Sequence, residues 1–267
     1  MLRDITIGQY YPVDSKVHKL DPRVKIAAVF VYLISLFVFS SFVGYAVVSV
    51  FLVAAIAISK VPFSYMVKGL RPILMLLVFT AVFNMFGVNG TVIFEYKFIV
   101  ITAEGVRKAL FLSMRLIYLI FGSSLLTYTT TPNQLTDGIE SILSPLKKFK
   151  VPVHDFAMMM SLALRFIPIL MEESNRIINA QSSRGADFEE GNIFHRIKMM
   201  VSILVPLLVS ATSRANDLAQ AMESRCYQGG DGRTKMKPLK YGKVDIAMYG
   251  VIVLYLAIVI VTTHVLV

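Results

Sequence analysis

Residues 26–59 read IAAVFVYLISLFVFSSFVGYAVVSVFLVAAIAIS and contain no charged side chain. The hydrocarbon core of a bilayer is about 30 Å thick, and an α-helix needs about 20 residues to cross it, with a lower limit of about 17. The stretch is too long for one crossing and long enough for two short ones. Ser40, Ser41 and Gly44 offer the turn between them. This part of the chain therefore predicts two consecutive membrane spans.

Three further uncharged runs follow along the chain. They cover residues 72–88, residues 109–128, which only Arg115 interrupts, and residues 246–267. The composition agrees, because 56% of the residues are hydrophobic and only 16% are charged, whereas about a quarter are charged in an ordinary soluble domain. We therefore predict an all-α, polytopic helical membrane protein with five spans and long cytoplasmic coupling helices.

The basic residues predict the orientation. Lys and Arg residues precede the first span and separate the second span from the third. In residues 89–105, by contrast, Lys97 is the only basic residue. Because cytoplasmic loops are enriched in Lys and Arg, we expect a cytoplasmic N-terminus and an external loop at residues 89–105. The same rule attributes the net charge of +10 to cytoplasmic loops and not to nucleic-acid binding. Within the external loop, the alternating residues 94–102 fit a short hairpin.

This topology divides the chain into three parts. Residues 1–128 form an N-terminal membrane domain with four spans, residues 129–243 a cytoplasmic domain, and residues 244–267 a C-terminal transmembrane helix. Two apolar segments in the cytoplasmic part, residues 156–171 and 199–211, have a length that favours buried or interfacial helices over spans. If both crossed, the topology of the rest would be unchanged, so the sequence leaves their entry into the bilayer open.

Two long helices are predicted in the cytoplasmic part, over residues 155–184 and 193–225. Each begins apolar and ends polar. A helix of about 30 residues is about 45 Å long, so each is long enough to be anchored in the bilayer at one end and to project from it at the other.

The two helices share a weak internal repeat. In both, a proline is followed eight residues later by an arginine, and a Ser-Arg pair stands near the end. The members are Pro168, Arg176, Ser183 and Arg184 in the first helix, and Pro206, Arg214, Ser224 and Arg225 in the second. Chance or helix capping is one explanation. The other is that each tip presents an arginine to an acidic cleft on a partner, since an Arg fork pairs bidentately with a carboxylate.

The chain resembles the transmembrane (T) component of energy-coupling factor transporters, which are bacterial uptake systems for vitamins and metal ions. The resemblance covers nearly the whole chain. Besides the two arginine tips, it rests on HKLDPRVK at residues 18–25, Thr131-Pro132, Leu135, Gly138-Ile139-Glu140, Pro145-Leu146 and Val151-Pro152.

The resemblance implies a role for the two tips. In that family two cytoplasmic coupling helices each end in a short motif centred on arginine, usually Ala-Arg-Gly, which docks into a groove on one of two ATPase subunits. The matching triplets here are Ser183-Arg184-Gly185 and Ser224-Arg225-Cys226. Serine stands in place of the usual alanine in both, and Cys226 in place of glycine in the second.

The resemblance also implies the partners and the location. We expect two ABC-type ATPase subunits, a substrate-binding S component that determines which vitamin or metal ion is imported, and membrane lipid, in the bacterial cell membrane. The chain itself would be no enzyme and would need no cofactor, because ATP would be bound by the ATPase subunits. In agreement, the sequence contains no G-x-x-x-x-G-K-[ST] phosphate loop.

Two other classes of protein are alternatives, a stand-alone secondary transporter and a polytopic membrane enzyme. A stand-alone secondary transporter driven by protons or sodium normally needs an acidic side chain in a span, and no uninterrupted run here carries one. The same absence argues against a polytopic membrane enzyme, as does the absence of an H-E-x-x-H pattern. Arg115 is costly in hydrocarbon, which makes it either a functional candidate or a structural residue that snorkels or pairs with a carboxylate of a neighbouring subunit. The adjacent pairs Glu172-Glu173 and Glu189-Glu190 are expected to be solvated surface.

Overall fold

A computed structural model describes residues 9–38, 42–86, 91–96, 99–186, 192–229, 236 and 238–265. Within these ranges helices dominate, with one short hairpin. In chain order the elements are α1 (Pro22–Val38), α2 (Phe42–Ser59), α3 (Phe63–Leu70), α4 (Leu74–Phe86), β1 (Val92–Tyr96), β2 (Ile99–Thr102), α5 (Ala103–Thr129), α6 (Pro132–Leu143), α7 (Val153–Ser183), α8 (Ile193–Glu223) and α9 (Lys243–Val265). Strands β1 and β2 pair antiparallel, as expected for the loop.

Six helical stretches of the described chain are long and apolar enough to cross a membrane. They are Phe42–Ser59, Phe63–Met85, Ala103–Thr129, Val153–Ser183, Ile197–Glu223 and Lys243–Thr263. The prediction of an all-α, multi-pass membrane protein is confirmed, with the hairpin as a small addition. Four of these stretches coincide with predicted spans. The predicted first span forms α1, which at 17 residues is one residue shorter than the shortest of the six.

The lengths of α7 and α8 bear on whether two apolar segments enter the bilayer. The apolar residues 156–171 and 199–211 lie inside continuous helices of 31 residues each. Both helices are long and apolar enough to cross a membrane, so length no longer argues against their entry into the bilayer. The predicted division at residues 129 and 244 concerns sidedness and stays a prediction.

The described residues form two compact units. One contains Glu140–Pro238, and the other contains Gly8–Ile139 and Leu239–Val267. In the first unit, α7 packs against α8, and His154 at the start of α7 contacts Glu140, with 3.0 Å between Nδ1 and Oε1. In the second unit, α5 packs against α1, α2, α3 and α4, while α9 packs against α1 and α2.

Aromatic residues fill the core around α5. Tyr32, Tyr45 and Phe121 are buried there with Leu36 and Leu125. Gly122 lets the ring of Tyr32 lie directly against α5, because a Cβ at this position would overlap the ring. The Tyr32 hydroxyl donates a hydrogen bond of 3.1 Å to the Tyr118 carbonyl. The close approach of α1 and α5 therefore depends on the absent side chain.

A cluster of polar groups joins three helix ends in the same unit. The Lys25 ammonium, buried at the start of α1, donates to the carbonyls of His18 at 3.0 Å and Thr129 at 2.8 Å. The Asp21 backbone N–H donates to Asp245 Oδ1 at 2.8 Å. Because a buried charge is costly unless it is hydrogen-bonded, these contacts fix the start of α1 against the end of α5 and the start of α9. They give residues 18–25 a structural role.

Substitution of Gly122 tests the packing of α1 on α5. Gly122→Ala is expected to destabilise the protein by about 1–3 kcal/mol, because overpacking displaces the Tyr32 ring. Gly250→Ala is a matched control in α9, where an added Cβ meets no neighbour within 4 Å, and should be neutral or stabilising by up to about 1 kcal/mol. Thermal unfolding in detergent, followed by circular dichroism, measures both. An unchanged melting temperature in Gly122→Ala would contradict this packing.

Protonation of His18 should destabilise the fold. Its Nε2 donates to the Tyr11 carbonyl at 3.0 Å, and its Nδ1 lies 2.7 Å from the Ser15 hydroxyl, which can donate to it in the neutral ring. Desolvation by burial lowers the pKa of His18 below its ordinary value of 6.5, against the raising effect of the Tyr11 hydrogen bond. Stability should therefore be complete above the unfolded pKa and be lost as pH falls through the folded pKa.

The pH dependence can be measured as the melting temperature from about pH 7 down to about pH 5. In His18→Gln, which has no titrating ring, the fall in melting temperature over this range should be smaller than in the wild type. His195→Gln, at an exposed position of α8, should keep the wild-type profile. Equal slopes in the wild type and His18→Gln would show that His18 does not carry the effect.

Candidate functional site

The end of α7 is closed by two nested backbone hydrogen bonds. The Ala186 N–H donates to the Gln181 carbonyl at 3.0 Å, and the Gly185 N–H donates to the Ser182 carbonyl at 3.0 Å. Gly185 has a φ of 87°, in the left-handed region. This is the Schellman motif, in which a left-handed residue lets the chain satisfy the last helical carbonyls.

The end of α8 has the same arrangement. The Tyr227 N–H donates to the Met222 carbonyl at 3.0 Å, and the Cys226 N–H donates to the Glu223 carbonyl at 2.9 Å. Cys226 has a φ of 55° and takes the left-handed position that glycine takes in α7. The two helix ends are therefore equivalent in hydrogen bonding, although the second lacks glycine.

The shared geometry aligns the two predicted triplets residue by residue. Arg184 and Arg225 each directly precede the left-handed residue, and a serine precedes each arginine. All six residues of the triplets are exposed; they are Ser183, Arg184, Gly185, Ser224, Arg225 and Cys226. Each triplet is thus brought together at one helix end, and the two triplets lie on different helices of one compact unit.

The electrostatics of these ends favour an anionic partner. The helix carbonyls point towards the C-terminus, where a positive side chain is stabilising. The motif bonds involve only backbone groups, with the carbonyls of Gln181 and Ser182 as acceptors in α7 and those of Met222 and Glu223 in α8. The exposed guanidinium groups take no part in them and can bind an external group. An arginine fork binds a carboxylate through two parallel N–H donors. The two ends can therefore act as a pair of similar binding elements.

An ion pair joins α7 to α8 at equivalent depths. Arg214 Nη2 lies 3.1 Å from Glu173 Oε2. Each residue stands about ten residues, or about 15 Å of helix, before the end of its own helix. Both side chains are partly exposed, so the pair contributes little to stability, but it sets which turns of the two helices meet. Pro168 and Pro206 lie inside α7 and α8, further from the tips.

The ion pair corrects the expectation that Glu173 is solvated surface. Adjacent carboxylates point to different faces, and the face of Glu173 is the one that meets α8. The internal repeat already contained a signal for this contact, since Arg214 is one of its members. Glu189 and Glu190 lie outside the described residues.

Arg115 makes polar and aromatic contacts within this chain. Its Nε donates to the Tyr45 hydroxyl at 3.2 Å, and its guanidinium lies over the Phe37 ring at 5.4 Å from the centroid. Contacts within this chain therefore bind the arginine, and pairing with a carboxylate of another subunit is not needed to explain its position. A sequence pattern could not reveal the hydroxyl, because Tyr45 is 70 residues away.

Comparison with known proteins decides the family. The family model described as cobalt transport protein (CbiQ) matches residues 14–236, which include both helix ends. The chain belongs to the cobalt transport protein family. Within this family, the chain is similar to proteins named energy-coupling factor transporter transmembrane protein EcfT. That of Ruminiclostridium cellulolyticum is 48% identical over 265 residues, 99% of each chain.

Two further relatives are similar to this chain over nearly its whole length. The EcfT of Clostridium kluyveri is 53% identical over 247 residues, 92% of each chain. The EcfT of Bacillus subtilis is 44% identical over 256 residues, 95% of this chain and 97% of that one. The resemblance to transmembrane components of energy-coupling factor transporters is thereby confirmed. These relatives are named as transporter components and not as enzymes.

Replacement of Cys226 tests the geometry of the second end. A side chain in the left-handed region costs about 1–2 kcal/mol, which glycine avoids. Cys226→Gly should therefore slow hydrogen exchange of the Tyr227 amide, by at least about fivefold. Ser224→Gly, two residues earlier, is the control and should speed this exchange, because glycine weakens the last helical turn. Mass-spectrometric hydrogen exchange measures both. Faster exchange in Cys226→Gly would contradict the assigned motif.

Proposed function

We propose that this chain is the transmembrane coupling subunit of an ATP-driven uptake transporter of the energy-coupling factor type. Its two helix ends each bind one ATPase subunit. The observation that carries the proposal is the equivalence of these ends: both expose an arginine directly before a left-handed residue, with the same pair of backbone hydrogen bonds. Two similar ends suit two similar partners.

The ATPase surface is expected to present a carboxylate to each arginine. The guanidinium is always charged and offers a planar fork that a carboxylate matches. Since the motif at each helix end closes within the chain, its hydrogen bonds do not depend on docking. The ATPase subunits supply the phosphate-binding machinery, so the chain itself performs no hydrolysis and needs no cofactor.

Helices α7 and α8 transmit the motion. Each has 31 residues and is about 46 Å long. The turns between the internal proline and the tip form a hydrogen-bonded rod that carries a displacement of the tip. The Glu173–Arg214 contact connects the two rods about 15 Å from their ends. A change in the separation of the two ATPase subunits therefore changes the arrangement of the apolar halves beyond this contact.

The apolar halves of α7 and α8 are proposed to meet the S component and lipid. Large side chains are exposed there, among them Phe156, Met159, Met160, Leu204 and Leu208. Exposed apolar surface of this kind marks an interaction site, and flexible methionines suit more than one partner. The S component determines the vitamin or metal ion, so import specificity does not reside in this chain. The basic loops support a cytoplasmic N-terminus.

Charge reversal at the two tips tests the proposal. Arg184→Glu combined with Arg225→Glu should abolish copurification of both ATPase subunits from mild detergent, because each arginine–carboxylate contact becomes a repulsion. Each single variant should lose one of the two contacts and weaken the complex. Affinity isolation of the tagged chain followed by protein identification measures the association.

Arg176→Glu is the matched control for charge reversal. Arg176 is exposed on α7 two turns before its end, so its reversal changes the net charge equally but leaves the tip intact. This variant should retain both ATPase subunits. Circular dichroism should show unchanged helix content in all variants. If the double variant still copurifies with both ATPase subunits, the assignment of the arginines is wrong.

A further inference from the structure

A lateral cavity of about 340 Å³ lies in the unit formed by Gly8–Ile139 and Leu239–Val267. Its floor is built by buried residues of α1 and α5, including Val24, Tyr32 and Leu125. Its rim is built by exposed residues of α2 and α9, including Ile58, Val244 and Ala247. Helices α2 and α9 meet at its far end, where the rings of Phe51 and Tyr255 are 4.5 Å apart. The cavity is therefore a groove that opens sideways between two helices.

The groove is apolar, and the polar side chains in its interior are hydrogen-bonded to backbone carbonyls. The Tyr32 hydroxyl and the Lys25 ammonium line it, but both donate to backbone carbonyls. The Thr129 hydroxyl is bonded to the Leu125 carbonyl at 2.7 Å. Apolar cavities of this kind do not hold ordered water, and an unfilled one destabilises a protein in proportion to its volume. An apolar occupant suits this groove.

The position of the groove indicates the source of the occupant. It runs from Lys25 to Tyr32 along α1 and from Val244 to Val251 along α9, which is about 10 Å in each helix. One end of the groove, its mouth, lies beside the polar cluster of helix ends, where the hydrocarbon of the bilayer is expected to end. A groove that starts at the headgroup level and enters the hydrocarbon by a third of its thickness matches the upper part of an acyl chain.

The charge at the mouth indicates an anionic headgroup. In the polar cluster, the carboxylates of Asp21 and Asp245 balance the cations of Arg23 and Lys25. Lys19 is 3.4 Å from Asp14. Lys16 lines the mouth, is exposed, and takes part in no ion pair of the described residues. Among the residues that line the groove, it is thus an exposed cation without an ion pair in the described part of the chain.

We propose that this groove binds one acyl chain of an anionic phospholipid, with the phosphate held at Lys16. The volume lies near the lower end of the range of about 300–1,000 Å³ for small-molecule sites, which suits a single chain. The lipid would fill the space between α2 and α9 at the end where they diverge. It would act as a structural ligand of the membrane unit.

Native mass spectrometry of the purified full-length chain tests the proposal. The probes are phosphatidylglycerol and phosphatidylcholine with identical acyl chains. The wild type should carry one phospholipid, with phosphatidylglycerol preferred about fivefold, as expected for one lysine near an anionic headgroup. Lys16→Gln should lose this preference, whereas Lys19→Gln, at a lysine that already has a carboxylate neighbour, should keep it.

Filling the groove separates this site from general lipid contact. Ala247→Phe, at the exposed rim of α9, should abolish the single bound lipid. Ala257→Phe, exposed on the same helix outside the groove, should retain it. Ala54→Phe on α2, with Ala46→Phe as its control, repeats the test on the opposite rim in case one variant fails to fold.

Three results would overturn the proposal. Equal lipid occupancy in Ala247→Phe and Ala257→Phe, with the same equality on α2, would place the lipid elsewhere. Equal binding of phosphatidylglycerol and phosphatidylcholine by the wild type would remove the role of Lys16. A wild-type chain that carries no phospholipid would also overturn the proposal. If the groove variants then release a partner protein, a protein segment occupies the groove.

Discussion

The structure depends on one constraint, which is that backbone N–H and C=O groups inside a bilayer must find partners within the chain. Helices meet this constraint along their length, so the difficult places are their ends. This protein handles its ends in two ways. At the starts of α1 and α9 and the end of α5, the buried charged side chains of Lys25 and Asp245 bond backbone groups. At the ends of α7 and α8, the backbone closes on itself.

The second solution makes the proposed function possible. A helix end whose carbonyls are paired within the chain needs no partner to be stable, so its side chains can bind and release another protein. A helix end buried inside the chain could not bind and release another protein. The long helices then connect a polar end to an apolar half, which fits the proposed link between ATPase subunits and a partner in the membrane.

Much of this architecture could be predicted from the sequence, because length without charge is a strong signal for a span. The internal repeat predicts the Ser-Arg pairs at the two helix ends, and the triplets around them follow from the resemblance to the family. The left-handed Cys226 was beyond such reasoning, since a cysteine gives no turn signal. The contacts of Glu173 with Arg214 and of Arg115 with Tyr45 join distant residues, and the apolar lengths of α7 and α8 were underestimated because polar residues flank them. The groove follows from how four helices diverge, which no local pattern records.

The most direct test of whether the helix tips contact ATPase subunits uses the single cysteine of the chain, Cys226, which is exposed at the second tip. A short thiol-directed photocrosslinker is attached to Cys226 in inside-out membrane vesicles, and the product is identified by mass spectrometry. The account predicts a crosslink to one ATPase subunit, and a crosslink to an ATPase subunit at the other tip when Cys226→Ser is combined with Gly185→Cys. Labelling of Cys226 only from the outside of intact cells, or crosslinks to neither ATPase, would contradict it.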